Sequence, residues 1–455
     1  MVSHFEAGYF VDLKSGFEAL ASERLEDDRQ PVLQKLHTRY WVARVRALQG
    51  RLEEARSLER EIEMLLRGEA GVSAASRATW YVSLASLANA QDDFDEAERY
   101  LLVALDLLDA PTSDFEKEVK AVCLSNLAAN MILHGKFQEA NGLLGRAEEL
   151  STDSQPLVRS ALTRHVAIAS RNGDIGEIGK LLEALDRQDK HRDRRVGEKP
   201  CHQELLEADA ISSGSTRAGC ERPEKAVVCV VKSSGPWSYS IVEPLMILGA
   251  CEFNAGRFME SREAYRRALT LVTDAFGDGA LDGARIMLRL VLIESELGNK
   301  AGAHELLQKV SALVLERTGE KSRLMAEVFR TVATLAQWEG RIDDSLAANR
   351  KSASICLPIG GEAGKVSVEW ARGLAAYLAR QGRLQDGLAV VEEAIGWLRL
   401  LTGDPVPQME YCLHDTHASI LNKLDRPEHA KVAVERKDAI AKMIIERGQP
   451  LNGCE

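Results

Sequence analysis

The sequence contains few aromatic residues and few runs in which apolar and polar residues alternate. Only 5% of its 455 residues are Phe, Trp or Tyr, although 45% are hydrophobic. Ala, Leu, Glu and Arg are abundant instead, which suits helices that pack through small side chains. The scarcity of alternating β-branched and aromatic residues argues against a substantial sheet. We therefore expect an all-α protein.

The chain also lacks a long apolar run and a recognisable export signal. No stretch approaches the roughly 20 apolar residues that span a bilayer. The opening residues, MVSHFEAGYF, contain no basic region followed by an apolar core. We expect a cytoplasmic protein without membrane insertion. The formal net charge of -11 opposes non-specific attraction to nucleic acid, so nucleic acid is not an expected partner.

The cysteines form no CxxC pair. The eight are Cys123, Cys201, Cys220, Cys229, Cys251, Cys356, Cys412 and Cys454. Several fall where a helix would bury a small apolar residue. We expect reduced thiols, since a disulfide framework is unusual in a large helical chain of the cytoplasm.

A segment of the form Gly-x-apolar-x-x-small recurs along the chain. We call its last, small residue the anchor. The anchors are Ala55, Ala97, Ala140, Ile178, Ser261, Ala303, Ser345, Gly387 and Ala430. Successive anchors lie 38 to 43 residues apart, except for a gap of 83 residues after Ile178. That gap leaves room for one degenerate repeat.

Two other positions accompany each anchor. Five residues before it stand Gly50, Asp92, Gly135, Gly173, Gly256, Gly298, Gly340, Gly382 and Asp425. Glycine there is typical of a helix that ends in a left-handed residue, so we predict a turn between two helices. Twelve residues before the anchor stand Ala43, Ala85, Ala128, Val166, Gly249, Val291, Ala333, Ala375 and Ala418. Mostly small residues there would let the two helices approach closely.

This pattern resembles the tetratricopeptide (TPR) repeat. The period of about 42 residues resembles the kinesin-light-chain-like and MalT-like branches, most clearly at residues 123–144, 265–279 and 310–322. The resemblance implies a right-handed α-solenoid of about ten antiparallel helix pairs, in which each repeat contacts only its neighbours. It also implies an adaptor or scaffold that holds a partner peptide or helix in a concave groove. The alternative is a sensor or regulatory protein that responds to a peptide or small ligand.

The repeat predicts five segments. They are an N-terminal capping helix region (1–35), four repeats (36–185), a degenerate repeat or inserted loop (186–240), five repeats (241–440) and a C-terminal tail (441–455).

The segment 186–240 departs from the repeat. VVCVVKSSGPWSYS (227–240) reads as a strand and a loop, whereas ERPEKA (221–226) resembles a damaged turn with Ala226 as its anchor. Three explanations of this segment remain open: a degenerate repeat, an inserted loop or a local error in the sequence.

No catalytic motif emerges, and we expect neither an enzyme nor a cofactor. GGEAGKVS (360–367) superficially matches a phosphate-binding loop. However, Ile359 stands where its first glycine is required, and Val366 replaces the Ser or Thr that follows the lysine. We interpret this segment as a loop between repeats.

His414 and His417 are three residues apart, near Cys412, a spacing that could present metal ligands. They correspond to Tyr81 and Leu84 of an earlier repeat, which favours packing positions and predicts no metal site.

In arrays of this family the first helix of each pair lines the concave groove. Taking the register from the anchors, the predicted groove residues are Asn126, Arg164, Arg285, Arg289, Arg330, Trp338, Arg372 and Arg380. Several arginines in an acidic chain suggest an acidic partner segment. The alternative is that they are solvated, or paired with acids such as Glu327 and Glu369. Some members of the family hold the C-terminal tails of chaperones with a two-carboxylate clamp. This sequence matches few of the residues of that clamp, so a chaperone tail is not the expected partner.

Overall fold

The computed structural model describes residues 25, 31–68, 72–150, 220–401, 406–446, 451 and 454. These ranges contain seventeen α-helices, one 3-10 helix (Tyr239–Ile241) and no strand, which confirms the all-α prediction. The helices are α1 (Val32–Leu48), α2 (Leu52–Gly68), α3 (Ala74–Ala90), α4 (Phe94–Asp106), α5 (Asp114–Leu133), α6 (Phe137–Leu150), α7 (Glu221–Ser234), α8 (Val242–Asn254), α9 (Phe258–Phe276), α10 (Leu281–Glu296), α11 (Lys300–Thr318), α12 (Arg323–Trp338), α13 (Ile342–Ile359), α14 (Gly361–Arg380), α15 (Leu384–Leu398), α16 (Pro407–Lys423) and α17 (Pro427–Glu446). Within the described ranges, no helix has the length and apolarity needed to cross a bilayer.

The helices pack as consecutive pairs, as the repeat predicts. The most extensive contacts join α1 with α2, α3 with α4, α8 with α9, α10 with α11, α12 with α13, α14 with α15, and α16 with α17. The short turn of the recurring motif separates the two helices of every one of these pairs. The motif therefore marks the inner turn of a helical hairpin.

The residue five before the anchor is left-handed in every described repeat. Its φ lies between +56° and +82° at Gly50, Asp92, Gly135, Gly256, Gly298, Gly340, Gly382 and Asp425. The next residue donates its N–H to the carbonyl five residues back, as Arg51 does to Arg46 over 2.8 Å. This is the Schellman bond that closes a helix end. The turn prediction is confirmed at these eight positions, while the ninth, Gly173, lies outside the described residues.

Anchor residues are buried against the first helix of their own pair. The Ser261 hydroxyl donates to the Gly249 carbonyl over 2.7 Å, twelve residues back. The Ser345 hydroxyl does the same to Ala333 over 2.6 Å. A Cβ added at Gly387 would lie only 2.9 Å from the carbonyl oxygen at the equivalent place. A small anchor is required because a backbone carbonyl occupies the space beside it.

The chain divides into two compact units. Of the described residues, those up to 130 together with 142–150 and 220–320 form unit 1, and 131–141 together with those from 321 onward form unit 2.

Unit 1 contains contacts between repeats that are far apart in sequence. Val45 of α1 belongs to the same buried cluster as Val230 of α7 and Ile286 of α10. The turn at Gly50 lies against Gly279, whose carbonyl oxygen would be 2.5 Å from an added Cβ. The expectation that each repeat contacts only its neighbours is therefore wrong in unit 1.

The core of unit 2 joins α13 to α17 through buried aliphatic residues such as Leu374, Leu388 and Leu413. Residues 131–141 belong to this unit, and within it the Lys365 ammonium lies 4.7 Å from the centroid of the Phe137 ring.

Two local predictions are wrong. Residues 227–234 belong to helix α7 rather than a strand, since Val227 and Val230, three residues apart, bury one helix face in the core of unit 1. Tertiary packing outweighs the β-propensity of the valines here. Ala226 is fully buried at the predicted anchor place, but the helix that would pair with α7 lies outside the described residues.

Segment 361–367 is not a loop either, because α14 begins at Gly361.

The expectation of uniformly reduced thiols is also wrong. Cys220 bonds to Cys251 and Cys412 bonds to Cys454, with Cα atoms 5.7 and 5.2 Å apart. Cys412 and Cys454 are 42 residues apart, about one repeat, whereas Cys220 and Cys251, 31 residues apart, meet because α7 and α8 pack against each other. Cys123 keeps a free, buried thiol, and burial raises its pKa to about 12.

Candidate functional site

One face of α12 carries polar and aromatic side chains at three- and four-residue steps. Its members are Arg323, Glu327, Arg330, Thr334 and Trp338, and none of them is buried. This spacing places them on one side of the helix. Trp338, 42% exposed, stands at the end of the row nearest the turn. A large exposed aromatic side chain in such a row is a candidate contact point.

An equivalent row lies on α14, 42 residues later. Its members are Lys365, Glu369, Arg372, Ala376 and Arg380, and none is buried. We call these two rows together the first-helix face of unit 2. Its ten side chains include five cations and two carboxylates, a net charge of +3 in a chain whose net charge is -11. The face is therefore a local basic surface on an acidic protein.

Arg372 binds a main-chain carbonyl on this face. Its Nη1 donates to the Cys454 carbonyl oxygen over 2.9 Å, while its Nε donates to Glu369 over 2.9 Å. The side chain is only 16% exposed. Cys454 is held there by its disulfide to Cys412 of α16. The main-chain carbonyl of Cys454 thus lies against the first-helix face.

Arg330 lies close to the second helix of its own pair. Burial raises the pKa of the Cys356 thiol on α13, and the positive charges of Arg330 and Arg323 oppose that rise. Arg330 is half-buried, whereas Arg380 at the end of the α14 row is exposed. The guanidiniums of the face therefore differ in their shielding from water.

The predicted groove residues of unit 1 have other surroundings. Arg285 of α10 donates to Asp282 over 3.0 Å and to Asp92 over 2.9 Å, so it joins two distant repeats of that unit. Arg289 is exposed on the same helix, and Asn126 is half-buried on α5. Arg164 lies outside the described residues. A binding role for these four residues stays a prediction.

The sequence did not indicate the contact between Arg372 and Cys454. The one available clue is that Cys412 stands 43 residues after Glu369, at the equivalent place of the next first helix. Within the described part of the chain, no group of three or more His, Cys, Asp or Glu side chains is arranged to hold a metal ion.

Comparisons with known proteins are consistent with the repeat. A family model described as "Tetratricopeptide repeat" matches residues 241–316, which include α8 to α10 and most of α11. No curated protein matches the chain.

Solved structures are similar at low sequence identity. A Rap protein complexed with Competence and Sporulation Factor is 13% identical with a TM-score of 0.47, over 91% of this chain and 99% of that chain. The human IFIT1 dimer with m7Gppp-AAAA is 14% identical with a TM-score of 0.45, over 96% and 88%. The apo quorum sensor NprR from B. thuringiensis is 12% identical with a TM-score of 0.42, over 74% and 92%. The resemblance to the kinesin-light-chain-like and MalT-like branches stays a prediction.

Proposed function

We propose that this tetratricopeptide-repeat protein is a non-catalytic adaptor that binds an acidic segment of another protein on the first-helix face of unit 2. The observation that carries the proposal is the bond from Arg372 to the main-chain carbonyl of Cys454. It supports the idea that a guanidinium on this face can hold peptide backbone.

The repeat supplies a second guanidinium at the equivalent place. Arg330 and Arg372 are 42 residues apart, on the first helices of successive pairs. An extended partner segment that follows the two helices, and whose groups take the place of the Cys454 carbonyl at Arg372, would meet both side chains in turn. Hydrogen bonds from guanidinium to carboxylate are stronger than neutral ones, which favours acidic side chains in the partner.

The ends of the two rows offer further contact area. Trp338 and Arg380 are both exposed and occupy equivalent places near the turns. Tryptophan and arginine are the residue types most often found at energetically dominant positions of interfaces. We expect this end of the face to contribute affinity, while the paired guanidiniums select for acidic sequence.

The test compares the wild-type chain with the double variant Arg330→Glu and Arg372→Glu on an array of 12-residue peptides that are acid-rich, neutral or basic. We expect the wild type to retain acid-rich peptides. Each lost charged contact costs on the order of 1.5–3 kcal/mol. The double variant should therefore bind at least a hundredfold more weakly, since about 1.4 kcal/mol corresponds to a factor of ten.

The matched control is Arg383→Glu with Lys442→Glu, which makes the same change in net charge outside the first-helix face. Both control side chains are exposed, and Arg383 pairs only locally, with Asp386 over 2.7 Å. The control should bind like the wild type. Equal losses in both double variants, or full binding by the Arg330 and Arg372 variant with an unchanged circular dichroism spectrum, would contradict the proposal.

A further inference from the structure

A cavity of about 580 Å³ lies between α15, α16 and α17 of unit 2. Three of the ten histidines of the chain line it, namely His414 and His417 on α16 and His429 on α17. Apolar side chains, among them Leu398 and Leu421, form much of the remaining wall. The volume and the mixed lining are typical of sites for small organic ligands.

The histidines are exceptions to the repeat. In six other repeats the places of His414 and His417 hold apolar pairs: Tyr81 and Leu84, Leu124 and Leu127, Leu245 and Leu248, Met287 and Leu290, Phe329 and Val332, and Ala371 and Leu374. His429 stands directly before its anchor, where seven of the other eight repeats have Glu or Asp. Helix packing alone does not require imidazole at the places of His414 and His417, since these six repeats have apolar side chains there; His165 stands at the place of His417 in the repeat of Ile178, outside the described residues.

Two ring nitrogens lack hydrogen bonds inside the protein. In the described part of the chain, His414 Nδ1 and His417 Nε2 are buried without a hydrogen-bond partner. His417 Nε2 lies 3.6 Å from a carboxylate oxygen of Glu392, a long ion-pair contact that partly compensates this nitrogen. Buried polar atoms are normally satisfied, so His414 Nδ1 in particular is placed to hydrogen-bond to a group inside the cavity.

The charges around the cavity favour an anion. Arg436 is already bonded to Glu410 over 2.6 Å. Arg399 and Arg426 are exposed, and their guanidiniums form no hydrogen bond or ion pair with the described residues. With histidines neutral, the lining has three arginines against two glutamates. Once Arg436 is paired with Glu410, Arg399 and Arg426 are opposed only by Glu392, which leaves a surplus of one positive charge.

We propose that this cavity binds a small organic anion with a short apolar tail. Its carboxylate or phosphate group would meet Arg399 and Arg426, and the imidazole nitrogens of His414 and His417 would hydrogen-bond to the same group. The tail would lie against Leu398 and Leu421. This site uses different helix faces from the first-helix face and does not depend on the proposed adaptor function.

Isothermal titration calorimetry of the full chain at pH 7 tests the proposal with hexanoate and hexyl phosphate as probes. Hexanol, which lacks the charge, and acetate, which lacks the tail, are the comparison ligands. We expect at least one hexyl anion to bind at least tenfold more tightly than either comparison ligand. Hexanoate and hexyl phosphate then distinguish a carboxylate site from a phosphate site.

Two variants locate the binding. Arg399→Gln with Arg426→Gln should weaken the preferred probe at least tenfold, whereas Arg383→Gln with Lys442→Gln, an equal loss of charge elsewhere in unit 2, should leave its affinity unchanged.

Replacing His414 and His417 with leucine installs apolar side chains typical of the other repeats. We expect this variant to fold, as judged by circular dichroism, and to lose the probe. The proposal is overturned if neither hexyl anion binds more tightly than hexanol and acetate. It is also overturned if the arginine variant or the folded leucine variant binds the preferred probe like the wild type.

Discussion

Glu59 of α2 is a buried carboxyl group at a place where most other repeats carry an apolar or aromatic side chain. It stands four residues after its anchor, where Leu101 and Leu144 stand in the next two repeats, and it is 5% exposed. Burial raises its pKa to about 7, although a hydrogen bond from the Gln91 amide opposes the rise. The repeat thus places an ionisable group where a charge is costly.

This pKa makes the stability of the protein depend on pH with a definite sign. The folded-state pKa exceeds the ordinary value of 4.5, so between pH 4.5 and 7 the folded chain keeps a proton that the unfolded chain releases. The free energy of unfolding contributed by Glu59 therefore falls as the pH rises through this window. At about 1.36 kcal/mol for each pKa unit, the full loss is on the order of 3 kcal/mol.

The perturbation is Glu59→Gln, which removes the titrating group. The new amide can donate to Gln91 Oε1, a buried atom that has no hydrogen-bond partner in the described part of the chain. Urea unfolding, followed by circular dichroism at pH 5 and pH 8, should show the variant gaining about 3 kcal/mol over the wild type at pH 8. The gain at pH 5 should be much smaller. Glu53→Gln, whose side chain is 83% exposed, is the control and should show little pH-dependent gain. The reasoning is refuted if the Glu59 variant has the same stability difference at both pH values.

Two further predictions concern matched pairs of substitutions, measured by differential scanning calorimetry. Gly387→Ala should lower the melting temperature, because its Cβ would lie 2.9 Å from a backbone carbonyl of α14, whereas Gly396→Ala, with nothing within 4 Å, should stabilise the same helix α15 by about 1 kcal/mol. Asn349→Leu should stabilise α13 by about 1–3 kcal/mol, because both polar atoms of its buried side chain lack partners within the described ranges. Asn130→Leu should instead destabilise, because that amide donates to a carbonyl of α4 over 2.9 Å. These predictions would be contradicted if Gly387→Ala raised the melting temperature, or if Asn349→Leu and Asn130→Leu changed it equally.

The hairpins could be predicted from the sequence because their determinants are local. The turn at Gly50 needs a left-handed residue and a carbonyl five residues before Arg51, all within a few positions of one another. The same local chemistry recurs in each repeat, so a single weak pattern gains strength through repetition. At Asp92 and Asp425 the pattern still holds, since aspartate tolerates the left-handed conformation better than most residues.

Contacts between distant repeats could not be predicted in this way. The ion pair between Arg285 and Asp92 joins residues 193 positions apart, and although Asp92 stands at the turn place of its repeat, nothing in the repeat pairs it with Arg285. Helix α7 was misassigned for a related reason. Its valines have strand propensity, and only their burial against α1 and α8 to α10 decides the outcome. Tertiary context determines both results.

The candidate sites lie between these two cases. Alignment of the repeats shows that Arg330 and Arg372 occupy equivalent positions. It also shows that His414 stands at a position where most repeats have an apolar residue. What each residue does at its place depends on side chains from other elements. Arg372 meets Cys454 because a disulfide holds that residue on α16, and His414 faces a cavity because three helices leave space beside it. In a repeat protein the sequence can therefore indicate which residues depart from the common pattern. Only the packed structure shows what such a residue does. At Glu59 the exceptional side chain is buried at a cost in stability, whereas at His414 it presents a polar group to a cavity.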